Sequence, residues 1–394
     1  MPTSSGRTIL IFVRYYLPGY KAGGPIRTIS NMVDTLGDEF NFKIVTSDRD
    51  ASDRVPYATL GSGTGWQKVG KASVLYLSPS QKRFCSIVRI ICETEHDTIY
   101  LNSLFDPDFT LKPLFARRMD LIPNRHCVVA ARGELSEGAL QLKASKKRIF
   151  LKVAKMIGLY QKLVWQASSV YEAKDISSGF GSVAKDIRIA PNLGSAYKPV
   201  EDGTRDLVGR KALRVIFLSR VSPMKNLDYA LRVLQRVRVP VQFDVFGQVD
   251  NEAYWRRCLE LIHSLPSNVV ASYRGSVPHE EVFDTISRYD LFFLPTRGEN
   301  YGHAILEALS AGTPVLISDT TPWRSLSEKN IGWDIPLSRD DEFVRIIQEY
   351  SMCKISIVAD MRRRAAEFAK STIRDESTIE ANKRLFITTC DSRF

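Results

Sequence analysis

The sequence predicts an α/β protein made of two doubly wound parallel sheets in separate domains. Strand and helix patterns alternate from one end of the chain to the other, as parallel sheets with crossover helices require. The alternation breaks at Asn192–Arg210, where Gly, Pro and charges cluster, and then restarts. With 394 residues there is chain enough for two domains of ordinary size.

Taken in order, Thr8–Val13 reads as the first strand, and Ile26–Leu36 as a helix after the Gly23-Gly24-Pro25 break. Phe42–Val45, Val74–Leu77, Thr98–Leu101 and Cys127–Ala130 are apolar runs of strand length. Ser86–Cys92, Leu111–Arg118 and Lys146–Leu159 carry helical patterns. Asp48–Lys71, rich in Gly, Ser, Asp and Thr, reads as a long surface loop. After the break, strands are expected at Arg214–Leu218, Gln242–Phe246, Val269–Tyr273, Leu291–Leu294 and Pro314–Ile317, each followed by a helical pattern. A last helix is expected over Ile373–Phe386. The expected domains are therefore 1–195 and 196–372, with a helical tail over 373–394. Successive doubly wound sheets place ligands at the carboxyl ends of their strands, in a cleft that the two domains share.

Hydrophobic residues make up 44% of the chain and charged residues 25%, the balance of a globular protein. No run approaches the ~18–20 apolar residues that span a bilayer. Ile9–Val13 is shorter than the roughly 7–15 apolar residues of a signal peptide. A cytoplasmic protein is expected. The six cysteines (Cys85, Cys92, Cys127, Cys258, Cys353 and Cys390) show no Cys-x-x-Cys spacing and read as reduced structural thiols.

The net charge of +11 is uneven: residues 1–205 hold 29 Lys+Arg and 19 Asp+Glu, leaving +10 of it in that half. Such a surface can meet nucleic acid, an anionic membrane or a phosphorylated substrate. Stacking aromatics do not interleave with the basic residues, so nucleic acid ranks last and no nucleic-acid partner is expected. Within Leu140–Leu159, Lys143, Lys146, Lys147, Arg148, Lys152 and Lys155 alternate with Leu142, Ile149, Phe150, Val153, Met156, Ile157 and Leu159. This pattern fits either a helix lying on anionic headgroups or a core-facing helix with solvated lysines.

The most informative stretch is 296–318. A loop carrying Glu299 runs through Gly302 into a short helix carrying Glu307, which stops at Gly312 before an apolar strand. Eight residues at 3.6 per turn would return Glu307 to the face of Glu299, within about 80°. A helix N-terminus between them offers unpaired N–H groups and the positive end of its dipole. Acids that grip hydroxyls, flanking an anion-binding helix end, suit a sugar nucleotide.

Glu-x7-Glu in this setting resembles the signature of retaining glycosyltransferases with two Rossmann-like domains facing across a cleft, the GT-B fold. The resemblance is closest to the large family that includes bacterial lipopolysaccharide, capsule and exopolysaccharide transferases. Gly19-Tyr-Lys-Ala-Gly-Gly24 resembles that family's N-terminal glycine loop. Ala131-Arg-Gly-Glu-Leu-Ser-Glu-Gly-Ala139 and Trp165-Gln-Ala-Ser-Ser169 resemble its acceptor domain. Phe217-Leu-Ser-Arg-Val-Ser-Pro-Met-Lys-Asn226 resembles its phosphate-gripping loop, and Gly275-Ser-Val277 the loop that meets the base.

The resemblance implies transfer of a hexose-type sugar from a nucleoside diphosphate sugar, with UDP or GDP, to a glycan or lipid-linked acceptor. Retention of configuration is carried over with it. Arg220 and Lys225 would meet the negative charge that develops on the leaving diphosphate. Backbone amides at Tyr301, Gly302 and His303 would receive that diphosphate. Glu307 would accept from the ribose hydroxyls and Glu299 from those of the donor sugar. His303 is read as a donor contact rather than a proton shuttle. Gly23 and Gly24, lacking Cβ, would approach the leaving phosphate from the other domain, and Val277 would offer backbone contact to the base.

Arg132 stands where relatives are expected to have His or Asp. It would meet an acceptor phosphate or sugar, or else form an ion pair with Glu134. No cofactor and no metal are expected. Asp48-Arg-Asp50 and Asp106-Pro-Asp108 have Asp-x-Asp spacing but read as loop acids, remote in sequence from the diphosphate loop. Two rivals are a nucleotide-sugar epimerase or hydrolase on the same fold, and a two-lobed sugar-binding protein without catalysis.

Overall fold

The computed structural model describes residues 6–58, 65–136, 144–195 and 211–387. Outside these lie 196–210 of the expected linker, 59–64 of the expected surface loop, the beginning of the Leu140–Leu159 run and Cys390. The chain forms two compact units. One comprises Met1–Leu193 with Asp375–Phe394, the other Gly194–Arg374.

The first unit holds eight strands: β1 Thr8–Phe12, β2 Asn41–Ser47, β3 Gln67–Val69, β4 Ala72–Leu77, β5 Thr98–Asn102, β6 His126–Ala130, β7 Val164–Ala167 and β8 Asp186–Ile189. Their order is β3-β4-β2-β1-β5-β6-β7-β8. All pairs are parallel except β3 with β4. Alternation along β1 sends Leu10 and Phe12 into one core, with Leu101, Val129 and Trp165. Ile9 and Ile11 enter the opposite core with Tyr100 and Val128. Both faces are covered, so the central strands are unbroken apolar runs.

The second unit holds β9 Leu213–Leu218, β10 Val241–Phe246, β11 Val269–Gly275, β12 Leu291–Leu294, β13 Val315–Ser318 and β14 Gly332–Ile335. They are parallel throughout, in the order β11-β10-β9-β12-β13-β14. Strand order reverses between β9 and β12, the position at which open α/β sheets bind ligands.

Four strands are absent from the sequence reading. Three-residue β3 lies inside the stretch read as a loop, and its Gln-Lys-Val carries no apolar run. β7, β8 and β14 are four residues each and interrupted by Gln, Arg or Asp. Their identity as strands comes from parallel partners rather than local pattern. The last helix also begins later than expected. Ile373 ends a 19-residue helix, and Asp375 caps a new one, Glu376–Leu385, accepting from the N–H groups of Ser377 and Thr378.

Helix Glu376–Leu385 is fastened to the first unit by specific contacts. Phe386 packs edge-on against Phe40 at 5.7 Å and Tyr100 at 5.5 Å. His126 Nε2 lies 2.8 Å from the Leu385 carbonyl, and Asn382 Nδ2 donates to the Pro191 carbonyl at 2.8 Å. We expect Phe386→Ala to cost about 3–5 kcal/mol in urea denaturation, the range for deleting a buried aromatic ring.

Burial holds the His126 imidazole below its ordinary pKa, outweighing the Leu385 carbonyl, which pulls the other way. A depressed folded-state pKa means the contribution is complete above the unfolded value of about 6.5 and is lost as pH falls through the folded value. The urea midpoint should therefore drop on acidification below about pH 6.5, and His126→Gln should flatten that slope. An identical slope in the variant would remove His126 from the account.

Candidate functional site

The site of the second unit is assembled from loops at the carboxyl ends of β9, β10, β12 and β13. After β9, the Ser219 N–H donates to the Phe246 carbonyl at 3.0 Å and the Val221 N–H to that of Gln248 at 2.8 Å. The loops after β9 and β10 thus lie side by side. Gly247 permits this at φ 141°, since a Cβ there would stand 1.9 Å from the Ser219 oxygen. Asn226, left-handed at φ 62°, then starts the helix Leu227–Leu234.

Asn226 also reaches across the sheet. Its Nδ2 donates to the Pro295 carbonyl at 2.9 Å, and its Oδ1 accepts from Arg297 Nε at 3.1 Å. The Arg297 N–H and the Thr296 hydroxyl both donate to the Met224 carbonyl, at 2.8 and 3.0 Å. These bonds splice the loop after β9 to the loop after β12 at the switch point. The splice brings together two side chains 74 residues apart, Lys225 and Glu299, as an ion pair. They are 13% and 16% exposed, so their attraction is screened less than on an open surface.

The loop after β13 holds the other side. Thr320 Oγ1 donates to the Thr296 carbonyl at 2.8 Å, and the Glu299 N–H donates to the Thr320 carbonyl at 3.2 Å. Trp323 Nε1 donates to the Tyr301 carbonyl at 2.5 Å, and the Tyr301 ring lies 4.9 Å from that of His303. Burial pushes the Tyr301 hydroxyl pKa up, so it stays protonated. Gly302, left-handed at φ 82°, caps the helix His303–Ser310, whose buried residues include Ile305, Leu306 and Glu307. Glu307 is 4% exposed. A carboxylate sunk that far is costly unless its surroundings compensate the charge.

Glu299 and Glu307 are not related by helix periodicity, contrary to the expectation from their spacing. The helix starts at His303, so the interval from Glu299 to Glu307 passes through a left-handed residue, and the two-turn angle does not apply. Glu299 reaches the helix start along a loop, held there by Lys225 and Thr320.

The other residues singled out by sequence are distributed as follows. Arg220 pairs with Asp250 at 2.7 Å and is half exposed. Val277 packs against the core just past β11, where Gly275 is left-handed at φ 79° with open space about its missing Cβ. In the first unit Gly23 is left-handed at φ 70°, also facing open space, and Gly24 opens the helix Gly24–Leu36. Buried Asp50 accepts from the N–H groups of Tyr20 and Lys21, at 2.7 and 3.0 Å, and so shapes that glycine loop.

Arg132 is left-handed at φ 53° and does not use Glu134. It donates to Asn102 Oδ1, to the Tyr100 hydroxyl at 2.6 Å and to Asn192 Oδ1 at 2.7 Å. Glu134 instead accepts from the Leu104 N–H at 2.6 Å and the Ser103 hydroxyl at 2.8 Å. Asp106 caps the turn at Pro107, accepting from the N–H groups of Asp108 and Phe109. Among the described residues no group of three or more His, Cys, Asp or Glu could hold a metal ion. Asn226, Gly247, Thr320 and Trp323 were not anticipated; only Gly247, just past a strand end, carried a sequence signal.

Residues 207–372 match the family described as Glycosyl transferases group 1. Arg220, Lys225, Val277, Glu299, Tyr301, Gly302, His303 and Glu307 all fall within the match. The "Uncharacterized 41.2 kDa protein in cps region" of Klebsiella pneumoniae is 21% identical over 372 residues, covering 92% of this chain and 96% of that protein. Sucrose-phosphate synthase from Thermosynechococcus elongatus shares the fold with a TM-score of 0.73 at 15% identity, covering 96% of this chain and 98% of that one. Anabaena HepE in complex with UDP-glucose does so with a TM-score of 0.67 at 17% identity and the same coverage. The architecture is thus that of the two-sheet GT-B glycosyltransferases. More particularly, residues 207–372 are similar to the family described as Glycosyl transferases group 1.

Gly302→Ala tests the corner on which this site turns. Its Cβ would lie 2.8 Å from Ile305 Cδ1 and 3.0 Å from Glu299 Cγ. The left-handed backbone alone should cost about 1–2 kcal/mol in urea denaturation. Wild-type stability would show that the corner is not constrained as described.

Proposed function

We propose that this protein is a retaining, metal-independent hexosyltransferase. It moves a sugar from a nucleoside diphosphate donor, with UDP or GDP as the nucleotide, to a growing cell-surface glycan or a lipid-linked acceptor. The observation that carries the reading is the Lys225–Glu299 pair beside the left-handed start of helix His303–Ser310, within the stretch similar to the Glycosyl transferases group 1 family. The UDP-glucose bound by HepE and the cps-region relative favour a UDP-sugar and a surface polysaccharide.

In this reading the diphosphate lies against the amides of Tyr301, Gly302 and His303, where the helix dipole is positive. Lys225 meets the charge that grows on the leaving phosphate, and Arg220 leaves Asp250 to add its planar fork. Glu299 exchanges Lys225 in part for hydroxyls of the donor sugar, and Glu307 accepts from the ribose. Gly23 and Gly24 supply backbone for the phosphate, Val277 a backbone contact for the base, and Arg132 the acceptor side. The sugar passes through an oxocarbenium-like state as the carbon–phosphate-oxygen bond opens. The departing phosphate takes the proton of the acceptor hydroxyl on the same face, so no protein base is needed. Fixed cations and the helix end do the work that a metal would otherwise perform.

Lys225→Gln should lower kcat by about 10²–10³-fold, the effect of removing one preorganised electrostatic partner. Glu307→Gln should chiefly raise KM for the donor. Both variants should keep the wild-type far-UV circular dichroism spectrum. Near-wild-type turnover in both would refute the site. Product analysis with donor alone separates the readings further, because an epimerase or hydrolase would consume it without an acceptor. A thermal-shift series with UDP-, GDP-, ADP- and dTDP-sugars identifies the nucleotide.

A further inference from the structure

The first unit has a switch point of its own. Its strand order reverses between β1 and β5, and the loops that leave β5 and β6 stand on one side of that reversal. Asn102 ends β5, and Arg132 follows β6 by two residues. Arg132 donates through Nε and Nη2 to Asn102 Oδ1 at 3.1 and 2.6 Å, through Nη2 to the Tyr100 hydroxyl and through Nη1 to Asn192 Oδ1. All three acceptors are neutral. Tyr100, Asn102 and Asn192 are 0%, 5% and 4% exposed, whereas Arg132 is half-buried.

No carboxylate compensates this guanidinium. Among the described residues Arg132 forms no ion pair. Glu134 and Glu172, the acids of adjoining segments, accept from backbone N–H and serine hydroxyl groups instead. Comparable half-buried arginines of the same unit do have a partner: Arg49 pairs with Asp48, and Arg188 with Asp186. An arginine is charged at any physiological pH. Arg132 is therefore a partly desolvated cation resting on dipoles alone, a costly state that a counter-ion would relieve.

Asn102 carries the second signal. Its Oδ1 must face Arg132, which can only donate, so the orientation of the amide is fixed and Nδ2 is left over. That Nδ2 is buried and has no hydrogen-bond partner. Behind Arg132 the network is closed: Tyr100 donates to Gln166 Oε1, and Gln166 Nε2 donates to the Ala190 carbonyl at 2.9 Å. An orphaned donor beside an uncompensated cation is complementary to an oxyanion, which accepts hydrogen bonds and brings the missing charge.

We propose that Arg132 and Asn102 form a site for an oxyanion, carried as a sugar carboxylate or a phosphate ester. Arg132 supplies the charge and Asn102 Nδ2 a hydrogen bond, while Tyr100 and Asn192 hold the guanidinium. With the acceptor read on this unit, the acceptor is an acidic or phosphorylated glycan, and Arg132 selects it over a neutral one. The oxyanion site is inferred from the first unit alone; only its assignment to the acceptor rests on the glycosyltransferase reading.

The test is thermal unfolding of the full chain with methyl glucuronide, methyl phosphate and, as the neutral control, methyl glucoside. Near saturation at least one anion should raise the wild-type midpoint by about 2–4 °C, and the glucoside should leave it unmoved. The larger of the two anion shifts identifies the source of the oxyanion. Lys225→Gln should keep that shift, which separates this site from the diphosphate site of the second unit. Arg132→Gln should lose it. Asn102→Asp should lose it too, and should melt above the wild type without ligand, because the missing counter-charge is then built in. A wild type that responds to no anion, or equally to the glucoside, would overturn the proposal. So would a shift that survives Arg132→Gln or vanishes with Lys225→Gln, or an Asn102→Asp variant that melts below the wild type. Equal kcat/KM for acidic and neutral acceptors, with the anion shifts intact, would overturn only the assignment to the acceptor.

Discussion

The second unit depends on how its two central loops are joined. Where strand order reverses, β9 and β12 are neighbours whose following helices leave in different directions, so the backbone at their carboxyl ends lacks ladder partners. Asn226 resolves this with one side chain, donating to Pro295 and accepting from Arg297, while the Met224 carbonyl takes two donors from the other loop. Buried polar backbone must be paired somewhere. Here that requirement fixes two loops against each other, and the placement of Lys225 and Glu299 follows.

In the proposed reading, the site is therefore preorganised by the fold. Lys225 and Glu299 already pair, and Gly302 already turns the chain into its helix. Preorganised charge is worth more than charge that must reorient during reaction, because the reorganisation has been met by folding. The pair also gives each partner a counter-charge, which limits the cost of partial burial.

Other buried carboxylates in the chain have structural work, and the contrast is informative. Asp228 accepts from the Tyr254 hydroxyl and pairs with Arg232, while Asp244 accepts from Arg274 and the Tyr289 hydroxyl. In the first unit Glu172 accepts from the N–H groups of Gly133 and Ser168, tying together the ends of β6 and β7. Each joins elements distant in sequence through several donors. Arg132 likewise bonds to Tyr100, Asn102 and Asn192 at strand ends, which holds its guanidinium in place for the acceptor side proposed above.

The long apolar runs by themselves determined the two sheets, because a strand buried on both faces must be apolar throughout and is visible without its partners. Local chemistry likewise marked the Gly302 corner and the loop holding Arg220 and Lys225. Tertiary structure alone decided the rest. Short strands such as β3 and β8 exist only because a neighbour offers hydrogen bonds. The pairing of Lys225 with Glu299 needed Asn226 to join two loops, and the left-handed Gly302 between Glu299 and Glu307 removes the two-turn angle that periodicity assigned them. Of the two faces of helix Ala144–Met156, only packing could show which the core used, since a 3.6-residue repeat records amphipathicity and not its direction.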